Sequence, residues 1–547
     1  MQSRSLAIRK LVMLAFALVL IFVLAACGQS PETAPTQQDA PAATQQTPET
    51  ADTDDADEEP QASEAVEGAI VWVAPSAPPT LDPIVENDQS TGDVTRQIYE
   101  GLMWFGPGNT LQPLLAESYS ISSDGLTYTF NLRRGVYFHD GTPFTAEAVY
   151  MSFARVLDPE NPRPGTFVIE MIDSVEIVDD HTVDITLEFP FAPFLAHLTH
   201  QVAFIMSPAS MREAEEGGRS VADNPSGTGP FMFHSQVHGD YTRVTPNPNH
   251  WRATPAHDVI FRVIPDGSTR MAMINTGEAH VLRGFATDIH QLPMMPHVDW
   301  FLNPTTSLTY VGFNAGQDGP LSDVRVRRAL TMAINAEDIL YGVQEGVGVL
   351  GVGPVRPGVV AHAPSDIVGL PFDPDAAREL LAEAGFADGL SLNLWTNYGN
   401  PVRAIITELI QSNLRDIGVE VSIDIIEWSA YLADTAAGLH DMFVLGWSTL
   451  TGDSDYGIYP LFHSSEIGGG NRTHFSNPDV DRLLEAGRVE TNPARRDEIY
   501  REVVQILVDE APMLYLFHPD TPIITNGVDG FISDFADSPY FFNAVLR

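Results

Sequence analysis

The sequence predicts an α/β protein of at least two lobes, and three observations carry that prediction. From residue 68 onward, short runs suited to strands interchange with amphipathic stretches at helical spacing. The 547-residue chain leaves 480 residues beyond position 67, more than one hydrophobic core usually serves. No repeat with a period of 20 to 50 residues is present, which argues against a solenoid or propeller.

Taken in order, residues 1–27 have the layout of a secretory signal. Arg4, Arg9 and Lys10 give a basic start, Leu11 to Leu24 is an unbroken apolar run, and Leu24-Ala25-Ala26-Cys27 closes it. The run is shorter than the ~20 residues a transmembrane helix needs. The tetrad resembles a bacterial lipobox, which implies cleavage before Cys27 and a diacylglycerol on its sulfur. Cys27 is the only cysteine, so no disulfide within the chain can contribute to stability. Residues 28–67 are Pro, Thr, Gln, Ala, Asp and Glu with almost no aliphatic side chains, a composition that cannot offset chain entropy by burial. They read as a disordered tether with a reach of roughly 35 Å.

Charge narrows the function classes. Removing the signal takes basic residues from 29 to 26 against 73 acidic ones, a net charge of −47. Such a surface repels nucleic acid and anionic lipid, and it also suits a salt-rich habitat. Lys10 is the only lysine, so phosphate-binding loops of the G-x-x-x-x-G-K type and Schiff-base lysines are excluded from the mature chain.

The globular part opens with a strand at Ile70–Val73. Leu126–Leu132 and Thr182–Phe189 alternate apolar and polar positions as half-buried strands do, the latter with Val183, Ile185, Leu187 and Phe189 on one face. Asp373-Pro374-Asp375 caps a helix containing Leu380, Leu381 and Ala384, and Gly385 stops it. Apolar residues at 402, 405, 406, 409, 410 and 414 trace one helical stripe that Gly418 ends, and Val419–Ile425 then alternates as a strand, half of a βαβ unit. Asn477-Pro478 starts a helix through Leu484. Arg495–Val508 forms a longer one with Ile499, Val503, Ile506 and Leu507 inward, and Met513–Phe517 reads as a strand.

Six ordered stretches carry a family resemblance. They are Leu81-Asp82-Pro83; Leu115-Ala116-Glu117-Ser118 through Ser123-Asp124-Gly125 and Phe138-His139-Asp140-Gly141-Thr142-Pro143-Phe144-Thr145; Gly227-Thr228-Gly229-Pro230-Phe231; Phe313-Asn314; Asp323-Val324-Arg325-Val326-Arg327-Arg328-Ala329-Leu330; and Asp373-Pro374-Asp375-Ala376-Ala377. Together they resemble the peptide-type (family 5) solute-binding proteins of ABC importers over essentially all of residues 68–547. The resemblance implies a periplasmic-binding-protein-like fold of type II, the large peptide-binding class, with two lobes, a hinge and an interlobe cleft. Lobe I would span 68–308, lobe II 309–517, and 518–547 would return to lobe I, with crossings near Leu308–Phe313 and Leu514–Pro519. Closure of such a hinge removes water from the ligand and strengthens its polar contacts.

The ligand question turns on Leu445-Gly446-Trp447-Ser448-Thr449-Leu450-Thr451-Gly452-Asp453-Ser454-Asp455-Tyr456. In dipeptide-binding relatives a Gly-Trp pair is followed by an aspartate for the peptide's amino terminus, and that position aligns with Leu450. The arginine that holds the dipeptide carboxylate aligns with Asn397. A buried ammonium without a counter-ion costs several kcal/mol, which speaks against dipeptide binding in that mode. Gly446-Trp447-Ser448, Thr451-Gly452-Asp453, Pro460-Leu461-Phe462 and Leu394-Trp395-Thr396-Asn397 are instead similar to the glutathione-binding branch. The resemblance therefore points to Trp447, Ser448, Thr449, Asn397 and Tyr398 as ligand contacts. Position alone adds Arg403 as candidate cation and Asp453 as candidate ammonium partner. Trp447 also reads as a core aromatic, and Asp453 and Asp455 sit in a Gly-rich turn where aspartate often caps its own backbone.

The spacings of His234 with His238 and His197 with His200 suit two metal ligands on one helix face, but no third ligand accompanies either pair. No G-x-S-x-G elbow and no distinctive acid–base pair are present. The expectation is a monomeric lipoprotein receptor on the extracytoplasmic face of the cell membrane, without cofactor, metal or catalysis, that hands a short peptide to ABC permease and ATPase subunits. A nickel or other small-solute receptor, a sensor and a surface hydrolase are the alternatives.

Overall fold

Alternation in the sequence becomes pairing in the sheet. In the computed structural model, which describes residues 68–547 apart from Asn87, Pro107, Gly108, Gln317 and Gly399, Ile70–Ala74 pairs in parallel with Val259–Val263 and with Val281–Arg283. The signal 1–27, the lipidation position Cys27 and the tether 28–67 lie outside the described residues. Among the described residues no helix is long and apolar enough to cross a membrane.

A 12-stranded sheet runs through the molecule. Its order is Val419–Ile426, Leu390–Asn397, Met442–Ser448, Ser307–Phe313, Met513–Thr525, Val281–Arg283, Ile70–Ala74, Val259–Val263, Tyr241–Pro246 and Phe231–Val237. Asp299–Pro304 and Gly348–Leu350 attach to Met513–Thr525 off that path. A separate four-stranded sheet holds Ala116–Ile121, Thr127–Leu132, Thr182–Leu187 and Ile172–Asp179, with Phe130 opposite Val183 and Tyr128 opposite Ile185 on its buried face.

Buried side chains form four clusters that fall on two lobes. Two of them draw on residues 70–298 and 523–544, with Tyr456 added, and two draw on residues 308–517. Ser307–Phe313 and the 13-residue strand Met513–Thr525 run antiparallel between these groups, with a bulge at Thr309/Tyr310. The strand expected over Met513–Phe517 continues to Thr525 because its later residues pair with Val281–Arg283 and Asp299–Pro304.

The βαβ unit consists of Leu390–Asn397, the helix Pro401–Asp416 and Val419–Ile426, the two strands parallel. Gly418 takes φ +83°, a left-handed conformation that only glycine adopts cheaply. Asp373 caps Pro374–Glu383 by accepting from the Ala376 amide. The helix expected from Asn477 to Leu484 runs on to Val489, and Gly487 permits this by leaving room for the Tyr500 ring, whose Cζ would lie 3.0 Å from a Cβ.

Candidate functional site

A cavity of about 520 Å³ opens beside the end of Met442–Ser448 and takes its walls from both lobes. On one side stands the helix Gln89–Ile98. Asp88 caps it through the Thr91 amide, and Val94 and Ile98 bury their side chains in the core. Asp88, Gly92 and Arg96, four residues apart, form the row that lines the cavity. Trp104 and Phe105 of the hairpin strand Met103–Gly106, and a strap at residues 530–543, complete this side. The strap is tied down: Gln97 donates to the Pro539 carbonyl at 2.7 Å, Asn303 donates to the Asp534 carbonyl at 2.7 Å, and Phe105 meets Phe535 edge-on at 4.7 Å. From the second lobe come Ser448 and Leu450, and Ser307 at the start of the crossing strand joins them, its hydroxyl 2.9 Å from that of Ser448.

Most charges in this wall already have partners. Arg252 lies 3.2 Å from Glu100 and over the rings of Trp104 and Phe542. Burial alone would raise the Glu100 pKa, but His250, Arg252 and Trp251 outweigh it and the carboxyl falls below its usual value. Asp534 accepts from the amides of Ala536 at 2.8 Å and Ser538 at 2.9 Å, and from the Tyr540 hydroxyl at 3.3 Å. Asp537 accepts from Asn303 at 2.7 Å and from Thr521, and burial pushes its carboxyl up to about 6. His200, also in the wall, accepts from the Val202 amide at 3.3 Å, and burial lowers its pKa to about 3, so the ring is neutral.

Arg96 differs. Its Nε donates to the Gly92 carbonyl at 3.1 Å and Nη1 to the Tyr540 hydroxyl at 3.3 Å, while Nη2 has no hydrogen-bond partner among the described residues. No carboxylate of those residues lies within 4.0 Å of it. Nearby Asp93 is engaged by Arg283 at 2.9 Å.

The residues anticipated from sequence fall into two groups. Ser448 lines the cavity. Behind it, Asn397 accepts from Arg403 Nη1 at 2.7 Å, Tyr398 is exposed, and the Arg403 guanidinium stacks over Trp428 at 5.7 Å. Arg403 Nη2 would lie 3.5 Å from a Cβ at Gly446, so glycine there makes room for the guanidinium. Gly446 and Ser448 share one face of their strand, which puts the Arg403 group roughly 7 Å along that face from the cavity wall.

The second group turns away from the cavity. Trp447 donates to the Tyr456 carbonyl at 3.1 Å and packs against core side chains of both lobes. Thr449 is fully buried. Asp453 caps the helix Ser454–Phe462 and accepts from Arg496 at 2.8 and 2.9 Å. Burial would raise its pKa, yet Arg496 outweighs burial and lowers it. Asp455 meets Arg488 at 3.2 Å, and burial pushes its carboxyl up to about 6. Leu450 presents an apolar wall to the cavity.

His197 Nδ1 donates to the Val168 carbonyl at 2.7 Å, and the ring stands with His200 against Tyr456. Among the described residues no group of three or more His, Cys, Asp or Glu side chains is placed to hold a metal ion. The helix Gln89–Ile98 and the strap 530–543 were not among the sequence candidates. The capping Asp88 and the spacing of Asp88, Gly92 and Arg96 at i, i+4 and i+8 were the available signal.

Comparison with known proteins agrees with this architecture. The profile of the bacterial extracellular solute-binding proteins, family 5 (middle), matches residues 110–469. The chain is 32% identical over 452 residues to the glutathione-binding protein GsiB of Pectobacterium atrosepticum, covering 80% of this chain and 86% of that one. It is 31% identical over 523 residues to heme-binding protein A of Haemophilus influenzae, covering 91% and 92%. The structure of the periplasmic binding protein DppA of Helicobacter pylori in complex with the peptide STSA superposes with a TM-score of 0.77 at 28% identity, covering 88% of this chain and 98% of that one.

Proposed function

We propose that this chain, which belongs to the bacterial extracellular solute-binding proteins of family 5, is a receptor that encloses a short peptide or peptide-like solute such as glutathione and delivers it to an ABC permease and its ATPase. One observation carries the reading: a cavity of about 520 Å³ walled by both lobes beside the Gly446–Ser448 segment. That volume falls within the range of small-solute sites. Aromatic walls with a few polar groups suit a peptide, which offers apolar surface together with carboxylate, ammonium and amides. Relatives that name glutathione and a bound peptide support the class of ligand.

Ser448 contacts the ligand in this reading, with Asn397, Tyr398 and Arg403 alongside, while Trp447, Thr449 and Asp453 act from behind the wall through the turn that carries Leu450. The lobes are 68–308 and 309–517 with a return at 518–547, and they close about Leu308–Phe313 and Leu514–Pro519. The protein acts as a monomer held at the extracytoplasmic face of the membrane by acyl chains on Cys27, and it does not alter what it binds. Calorimetric titration of the purified chain with glutathione and with di- to tetrapeptides tests the receptor reading. One-to-one, reversible heat with the ligand recovered intact is expected. No binding to any of them, or conversion of the ligand to product, would contradict it.

A further inference from the structure

We infer that Arg96 is the anion anchor of the cavity, so that the solute is selected for a carboxylate that docks against the first lobe. The inference rests on the reading that the solute occupies this cavity.

Charge accounting around the wall supports it. Asp88 caps its helix, Glu100 holds Arg252, Asp534 is tied by two backbone amides and Tyr540, and Asp537 is tied by Asn303 and Thr521. Each of these carboxylates has donors from the protein, although the second oxygen of Asp88 is buried without a hydrogen-bond partner among the described residues. Arg96 is held in place by neutral groups only, the Gly92 carbonyl and the Tyr540 hydroxyl. Its link to Asp534 passes through that hydroxyl.

Two bonds fix the direction of the guanidinium and leave one nitrogen open. A carboxylate docking there gains charge-assisted hydrogen bonds without the cost of ordering a loose side chain. Tyr540, Asp534 and Asp93 outweigh burial and keep the guanidinium charged without a carboxylate in direct contact, so the open nitrogen is left for a direct anion contact. The glycine at position 92 gives the anion access. A Cβ there would lie 2.6 Å from the Gln201 side-chain oxygen and 3.6 Å from Arg96 Nη2, filling the floor in front of the guanidinium. Leu450 on the opposite wall offers no charge. Arg96 on the first lobe thus faces an apolar second-lobe turn.

Calorimetric titrations of the full chain decide the matter, with glutathione, glutathione diethyl ester, trialanine and trialanine amide as probes. Circular dichroism melts of each variant establish that it is folded. The wild type should bind the free-carboxylate probe at least tenfold more tightly than its ester or amide. Arg96→Gln should erase that difference, losing at least tenfold for the carboxylate form and little for the neutral form. Arg96→Lys should recover part of the loss. Binding of the carboxylate probes by Arg96→Gln with wild-type affinity would overturn the anchor while leaving the receptor standing. Equal wild-type affinity for both forms would do the same without relying on any variant. Failure of the wild type to bind any of the four would remove the receptor reading and the anchor with it.

Discussion

Two charged corners, one lining the cavity and one turned away from it, are wired differently. On the second lobe, the turn after Trp447 carries Asp453 and Asp455, and each carboxylate is met by its own arginine, Arg496 and Arg488. On the first lobe, the helix Gln89–Ile98 carries Arg96 with no carboxylate among the described residues inside 4.0 Å. The turn stands next to the Gly446–Ser448 motif, yet its charges neutralise one another within the fold. The helix has no such motif and keeps an open nitrogen at the cavity. Closeness to a motif is therefore a weaker guide to ligand chemistry than the state of each charge's pairing.

The sharpest way to break this contrast is to remove one member of each corner and measure stability. Asp453→Asn leaves Arg496 enclosed without its bidentate partner and should cost about 3–5 kcal/mol in urea unfolding. Arg96→Gln removes a cation that has no ion pair and should change stability by about 1 kcal/mol or less. Similar losses from the two substitutions would mean that the corners are equivalent and that the contrast is wrong.

A smaller effect sharpens the same point at the strap. Burial raises the Asp537 carboxyl to about 6 from its ordinary 3.8, so the folded state holds a proton that the unfolded chain releases first. Its contribution to stability is complete below about pH 4 and is lost as pH rises through about 6. Unfolding free energies of the wild type minus those of Asp537→Asn should therefore fall between about pH 4 and pH 6 and level off above that. A difference that stays constant or rises would show that this carboxyl ionises freely in the fold. The least effect is expected from Gly92→Ala, whose Cβ can displace the flexible Gln201 side chain. Helix propensity should balance crowding in a thermal melt, while carboxylate affinity drops a few-fold by calorimetry.

Elements with a clear period were legible in the sequence. The stripe from Val402 to Leu414 marks a real helix, and Gly418 stops it because the next residue must turn through a left-handed conformation into Val419–Ile426. The Asp373 cap is equally local. The cavity was much less legible. Gln89–Ile98 has no clean apolar stripe, since Thr91, Asp93, Thr95 and Gln97 are buried beside Val94 and Ile98 among polar partners. The strap contains only the two-residue strands Ile532–Ser533 and Pro539–Tyr540, and its path is set by side-chain bonds to Asp534 and Asp537 from residues as distant in sequence as Asn303. Of the motif residues, Ser448 reaches the cavity through strand alternation, whereas Trp447, the neighbour on the opposite face, turns to Tyr456. Asp453 could be read as a cap from its turn, but its bond to Arg496, 43 residues later, required the fold.

A crystal structure of the chain with its bound solute tests the central claim most directly. The account predicts ligand density enclosed in the cavity, touching Ser448 and Leu450 on one side, with a carboxylate against Arg96 on the other. Density confined to the exposed face near Tyr398 and Trp428, with the cavity left to solvent, would contradict it.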